Sequence, residues 1–131
     1  MKCIVLFTLL LVSMTAAINV SPEKIEKWEN AIQPHVEKCK LESNVDPVYA
    51  DRMKYLEFPK DQKFYCYMKC LYNEAGVIDA EGHVNVEELA KKFSFGNLEA
   101  AKKCEDKVET EKRLCEQAYE LLLCTVEAVS E

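Results

Sequence analysis

The chain has 131 residues, 49% of them hydrophobic, with 17 basic against 23 acidic side chains and a formal net charge of −6. Nucleic acid and anionic membrane surfaces both repel a protein of this balance, so neither is an expected partner. With only three glycines and four prolines a turn-rich β fold is disfavoured, and the length suits one domain.

At the N-terminus, Lys2 precedes the run Ile4 to Val12, and the small residues Thr15-Ala16-Ala17 offer a cleavage site. This is the layout of a secretory signal peptide over residues 1–17. The run is too short to span a bilayer, which needs about 20 apolar residues in a helix, and no later segment is long or apolar enough, so no membrane insertion is expected. The predicted mature part, residues 18–131, is a secreted, extracellular domain. Losing Cys3 and Lys2 leaves six of the seven cysteines and a charge one unit more negative.

The apolar period is helical almost throughout. Ser21-Pro22 pairs an N-cap with Pro at the first helical position, and Ile25, Trp28, Ile32, Val36 and Cys39 follow as one stripe that Pro34 should kink. Asp46-Pro47 opens a second, short helix to about Glu57, with Val48, Met53 and Leu56 inward, and Phe58-Pro59 ends it. Asp61 starts a third, with Phe64, Tyr67, Met68 and Leu71 apolar and Gly76 placed as its left-handed cap. Asn85 with Glu88 resembles a capping box for a fourth carrying Leu89 and Phe93. Asn97 caps a fifth to about Asp106. Thr110 is the predicted start of the last, in which Leu114, Ala118, Leu121, Leu122 and Val126 line one face.

The six cysteines are spaced Cys39-x26-Cys66-x3-Cys70-x33-Cys104-x10-Cys115-x8-Cys124. An even set in a small secreted domain implies disulfides. Cys66 and Cys70 lie one turn apart on one helix face and are poorly disposed to bond each other. Cys115 and Cys124, nine residues apart on the last helix, are separated by roughly 900° of rotation and about 13.5 Å of rise, so they cannot pair. Of the 15 connectivities open to six cysteines, three contain the first excluded pair, three the second and one both; about ten therefore stay open.

The x3 pair, the x8 pair and Gly76-Val77-Ile78-Asp79 with Gly82 resemble the insect odorant-binding and pheromone-binding proteins of the six-cysteine type, and the likeness covers residues 18–131. The resemblance implies an all-α fold: a compact bundle of about six helices stapled by three interlocked disulfides around an apolar cavity. The bridges it implies are Cys39 to Cys70, Cys66 to Cys115 and Cys104 to Cys124. Two features depart from the family pattern. The 33-residue gap before Cys104 is short, and the seven residues after Cys124 are too few for the C-terminal segment that some moth pheromone-binding proteins insert into their pocket at low pH.

The function the resemblance implies is non-catalytic: an extracellular carrier that solubilises small hydrophobic ligands such as odorants or pheromones, with an olfactory receptor or a second copy as candidate protein partners. Candidate wall residues are the large, adaptable side chains Met53, Phe64, Met68, Leu71, Leu89, Phe93, Leu121 and Leu122, with Trp28 and Phe95. Tyr67 or Tyr119 is a candidate polar contact for an alcohol, aldehyde or ester. The rival class is a salivary, venom or reproductive-gland protein that scavenges a mediator or binds a protein partner. No cofactor is expected. Zinc lacks a second close ligand pair beside Cys66-x3-Cys70. Residues Val77 to Glu88 imitate a calcium loop at Asp79, Glu81, Gly82 and Glu88, but the first ligand position is Val77, so a plain connecting turn is expected. His35 and His83 accompany no nucleophile motif, which makes an enzyme the weakest class.

Overall fold

The computed structural model describes residues 18–130, so the expected signal peptide and Cys3 lie outside the described residues. Regular structure among them is helical, apart from one isolated antiparallel bridge between Ile78 and Val84. The α-helices are α1 (Pro22–Ile32), α2 (Val36–Ser43), α3 (Pro47–Asp51), α4 (Gln62–Glu74), α5 (Val86–Phe93), α6 (Leu98–Val108) and α7 (Leu114–Val129). Pro34 breaks the first predicted helix instead of bending it, and Gln33–His35 forms a 3-10 turn between α1 and α2. The proline ring excludes the carbonyl of the preceding turn and has no N–H to donate. Counted as one broken path, α1 and α2 bring the described helices to six.

Helix starts follow local chemistry. A side-chain oxygen of Asp46 accepts from Val48 N at 2.9 Å, of Asp61 from Phe64 N at 3.0 Å, of Asn85 from Glu88 N at 3.1 Å and of Asn97 from Ala100 N at 3.0 Å. Each cap satisfies a donor the helix leaves open and contributes about 1 kcal/mol. The capping box at Asn85 is half formed, because the Glu88 carboxylate reaches Lys92 at 2.9 Å instead of turning back. Gly76, at φ 76°, ends α4: Gly76 N donates to Asn73 O at 3.1 Å and Val77 N to Tyr72 O at 2.9 Å, the paired closure of a Schellman motif.

Two further expectations are corrected. Helix α3 ends at Asp51, Arg52–Tyr55 continues as a 3-10 turn, and Val48 is 56% exposed. The tighter winding takes Val48 out of phase with Met53 and Leu56. Helix α7 starts at Leu114, not Thr110, because Glu111 takes over the turn: its carboxylate accepts from Arg113 N at 3.0 Å and from the Arg113 guanidinium at 3.1 Å.

The long pair α4 and α7 forms the centre; α2 packs on α4, α6 on α7, and α5 on α6. Three disulfides join the same elements: Cys39–Cys70 ties α2 to α4, Cys66–Cys115 ties α4 to α7 and Cys104–Cys124 ties α6 to α7, with Cα atoms 5.5, 4.6 and 5.7 Å apart. This is the connectivity the family resemblance implies, and each bridge closes across another in sequence. Helices α1, α3 and α5 carry no disulfide; packing and polar contacts hold them, among these the Lys40–Asp51 ion pair between α2 and α3 at 3.5 Å.

The segment after α4 turns back through the Ile78–Val84 bridge. Its Asp79 carboxylate accepts from Glu81 N at 3.0 Å and His83 N at 2.9 Å. Those donors, the His83 amide foremost, hold the Asp79 carboxyl below its usual range. Gly82 sits at φ 90°, and a Cβ there would lie 2.8 Å from Leu114 Cδ2 and 3.0 Å from Gln117 Oε1. The buried Gln117 amide donates to Gly82 O at 2.8 Å. Gly82→Ala combines a left-handed backbone with a clash against α7, so a loss of about 3 kcal/mol is expected in chemical denaturation. A midpoint equal to the parent's would contradict this packing.

Candidate functional site

A cavity of about 50 Å³ lies between α1 and the α4–α7 pair. Ile25, Trp28 and Ile32 of α1 form one wall, and Met53, Leu56 and Phe58 from the segment after α3 form the second. Met68 and Tyr72 of α4, Phe93 of α5 and Leu122, Thr125 and Val126 of α7 complete it, with Glu29 and Lys54 also on its rim. The stapled α4 and α7, with Phe93 of α5 beside them, therefore supply one side, and the unbridged α1 and the segment after α3 the other.

Helix α1 is latched to the end of α5. Trp28 Nε1 donates to the Phe93 carbonyl at 2.8 Å, and its ring stacks on Phe95 at 5.6 Å. Phe95 adopts φ 55°, a conformation a bulky side chain reaches only at a cost. The stacking on Trp28 offsets it, so the end of α5 and the middle of α1 hold each other in place.

Of the residues expected at the wall, Trp28, Met53, Met68, Phe93 and Leu122 are brought together around this space. Phe64, Leu71, Leu89 and Leu121 are buried elsewhere in the core, completely shielded from solvent. Phe95 lies behind Trp28. Tyr67 borders a different, more polar depression with Asp51, Lys40 and Gln33. Burial, followed by the carboxylates of Asp51 and Glu37, pushes the Tyr67 phenol up to about 12. Tyr119 has spent its hydroxyl, which donates to the Phe58 carbonyl at 3.0 Å and so holds down the loop that carries Phe58 into the cavity.

Ile25, Ile32, Leu56, Phe58, Tyr72, Thr125 and Val126 join the wall without having been singled out for it. Thr125 carried a legible signal: it is a polar residue set between Leu122 and Val126 in the inward stripe of α7. Its Oγ1 is fully shielded and has no hydrogen-bond partner among the described residues. Tyr72 is 2% exposed and packs edge-on against Phe93 at 5.4 Å between ring centres. Burial pushes its phenol well above the ordinary value, so it is present as a neutral hydroxyl.

Cys66 and Cys70 are both in disulfides and offer no thiolate to a metal. Val77, at the first position of the imitated calcium loop, is fully buried. His83 is exposed beside Asp79 at 3.2 Å, and neither His83 nor His35 lines the cavity. No helix among the described residues is long and apolar enough to cross a membrane.

The sequence model of the PBP/GOBP family matches residues 21–128. The chain is 24% identical over 111 residues to general odorant-binding protein 99a of Drosophila melanogaster, covering 79% of this chain and 78% of that protein. It is 28% identical over 98 residues to odorant-binding protein 22 of Aedes aegypti, covering 71% and 70% respectively.

Proposed function

This chain belongs to the PBP/GOBP family, and on that premise we propose that it is a non-catalytic carrier that takes a small hydrophobic molecule, an odorant or pheromone, into the cavity beneath α1. Residues 1–17 act as the secretory signal in this reading, and residues 18–131 work in an extracellular fluid. The observation that carries it is the apolar space enclosed by Trp28, Met53, Met68, Phe93 and Leu122. Its two sides differ in how firmly they are held.

Burial of apolar area drives such binding at about 25 cal/mol per Å², so a ligand with roughly 250 Å² of apolar surface gains about 6 kcal/mol gross. Ordering costs bring this to micromolar affinity. Pockets for drug-sized ligands run from about 300 Å³ upward, whereas this space is about 50 Å³. Entry of a long chain therefore requires the wall to yield. The flexible Met53 and Met68 side chains supply part of that, and the absence of a bridge to α1 supports movement of the rest.

The test is a titration of the oxidised protein with an apolar fluorescent probe such as N-phenyl-1-naphthylamine. Saturable micromolar binding, with displacement by long-chain alcohols and esters, is the expected result. Lack of saturable binding by the folded protein would remove the carrier reading.

A further inference from the structure

We propose that Thr125 is the polar anchor of the cavity, and that the preferred ligands are linear molecules ending in a hydroxyl or carbonyl oxygen. This rests on the carrier reading. Thr125 is 4% exposed, lines the cavity from α7, and its Oγ1 has no hydrogen-bond partner among the described residues. A buried hydroxyl with nothing to bond is a standing loss of stability. In a mid-helix position threonine ordinarily recovers part of that loss by bonding the carbonyl one turn back; here it does not. The O–H and lone pairs are thus left unused in the wall of a largely apolar space.

A threonine hydroxyl both donates and accepts, so it matches an alcohol in either direction and a ketone, aldehyde or ester carbonyl as donor. A pure hydrocarbon leaves it unpaired, so the site discriminates by the penalty of an orphaned group as well as by the bond gained. Tyr72 lines the same cavity from α4 and its phenol is neutral. The two polar residues lie on the pair of helices that Cys66–Cys115 clamps together, while the yielding walls of α1 and the segment after α3 receive the hydrocarbon tail. The polar end is read by the rigid side and the chain by the adaptable one.

The discriminating experiment compares the full-length oxidised parent with Thr125→Val and Thr125→Ser, using displacement of N-phenyl-1-naphthylamine by 1-decanol and by 1-chlorodecane. Val preserves shape and removes the hydroxyl. The expected result is that Thr125→Val weakens 1-decanol about tenfold, leaves 1-chlorodecane and the probe within twofold, and melts at or above the parent temperature. Thr125→Ser should keep the preference for the alcohol. A parent that binds both ligands without preferring the alcohol, or a Val variant that loses both equally, overturns the anchor and leaves the carrier reading standing. A parent that binds neither probe nor ligand overturns the carrier reading and the anchor with it. Should the Val variant melt well below the parent, the hydroxyl is bonded within the protein and the anchor is likewise overturned.

Discussion

Cys66→Ser combined with Cys115→Ser should lower the stability of the protein by about 3 to 4 kcal/mol. The bridge spans 49 residues of sequence, the longest of the three, and in the chain-entropy picture the loss grows with the length of the loop released. Overlap with the other two loops reduces the effect, which is why the lower end of the range is kept. A small domain has only about 5 to 15 kcal/mol in total. At roughly 4 °C per kcal/mol for a chain of this size, the melting temperature should fall by about 12 °C. Probe binding should go with it well below the new midpoint, because this bridge holds together the α4 and α7 walls that contain Met68, Tyr72 and Leu122. The matching variant at Cys104 and Cys124 closes only 20 residues and touches one cavity-bearing helix, so its binding should survive at 25 °C. Near-equal melting of parent and Cys66/Cys115 variant would show that the apolar core alone holds α4 and α7 together.

The parts of the fold that could be read from the residues are those decided within a few positions of chain. Asp61 and Asn97 cap the helices that follow because a short oxygen-bearing side chain needs only the next turn to find its donor. Gly76 closes α4 for a similar reason. The start of α7 was not legible, since Arg113 is not a preferred N-cap and the choice falls to the contacts of Glu111 with Arg113. Val48 is exposed because a period of 3.6 does not carry across the Arg52–Tyr55 turn, which winds with about 3.0 residues per turn. Disulfide partners were narrowed by helix geometry and resolved only by family likeness.

The cavity was half legible. Helical period tells which side chains point inward, but not whether they meet another side chain or a void. Phe64 and Met68 show the difference: they lie one turn apart on the same face of α4, yet Phe64 is packed among Tyr67 and Tyr119 while Met68 borders the open space. What separates them is the path of α1 across the bundle, set by Pro34 and by the Trp28 bond to Phe93. No property of α4 contains that information. Inward tyrosines divide in the same way, for the Tyr119 hydroxyl is consumed by the Phe58 carbonyl while Tyr72 borders the space.

Leu122→Phe separates a binding cavity from an imperfectly filled core. Leu122 sits on α7 at the cavity wall with 8% exposure, and the added ring occupies volume that is otherwise open. Where extra carbon enters a well-packed interior, overpacking costs about 1 to 3 kcal/mol. Where it enters a void, the atoms around it gain contacts and stability rises or holds. The expected outcome is therefore a melting temperature equal to or above the parent's, together with at least a tenfold loss of affinity for N-phenyl-1-naphthylamine. Opposite signs on the two measurements are the signature of space kept open for an occupant. A variant that is destabilised and still binds the probe normally would place the ligand elsewhere on the molecule. Phe64→Leu is the internal comparison. It makes a hole in the packed centre of α4, should cost about 1 to 2 kcal/mol, and should leave probe affinity nearly unchanged because that side chain does not border the space α1 covers.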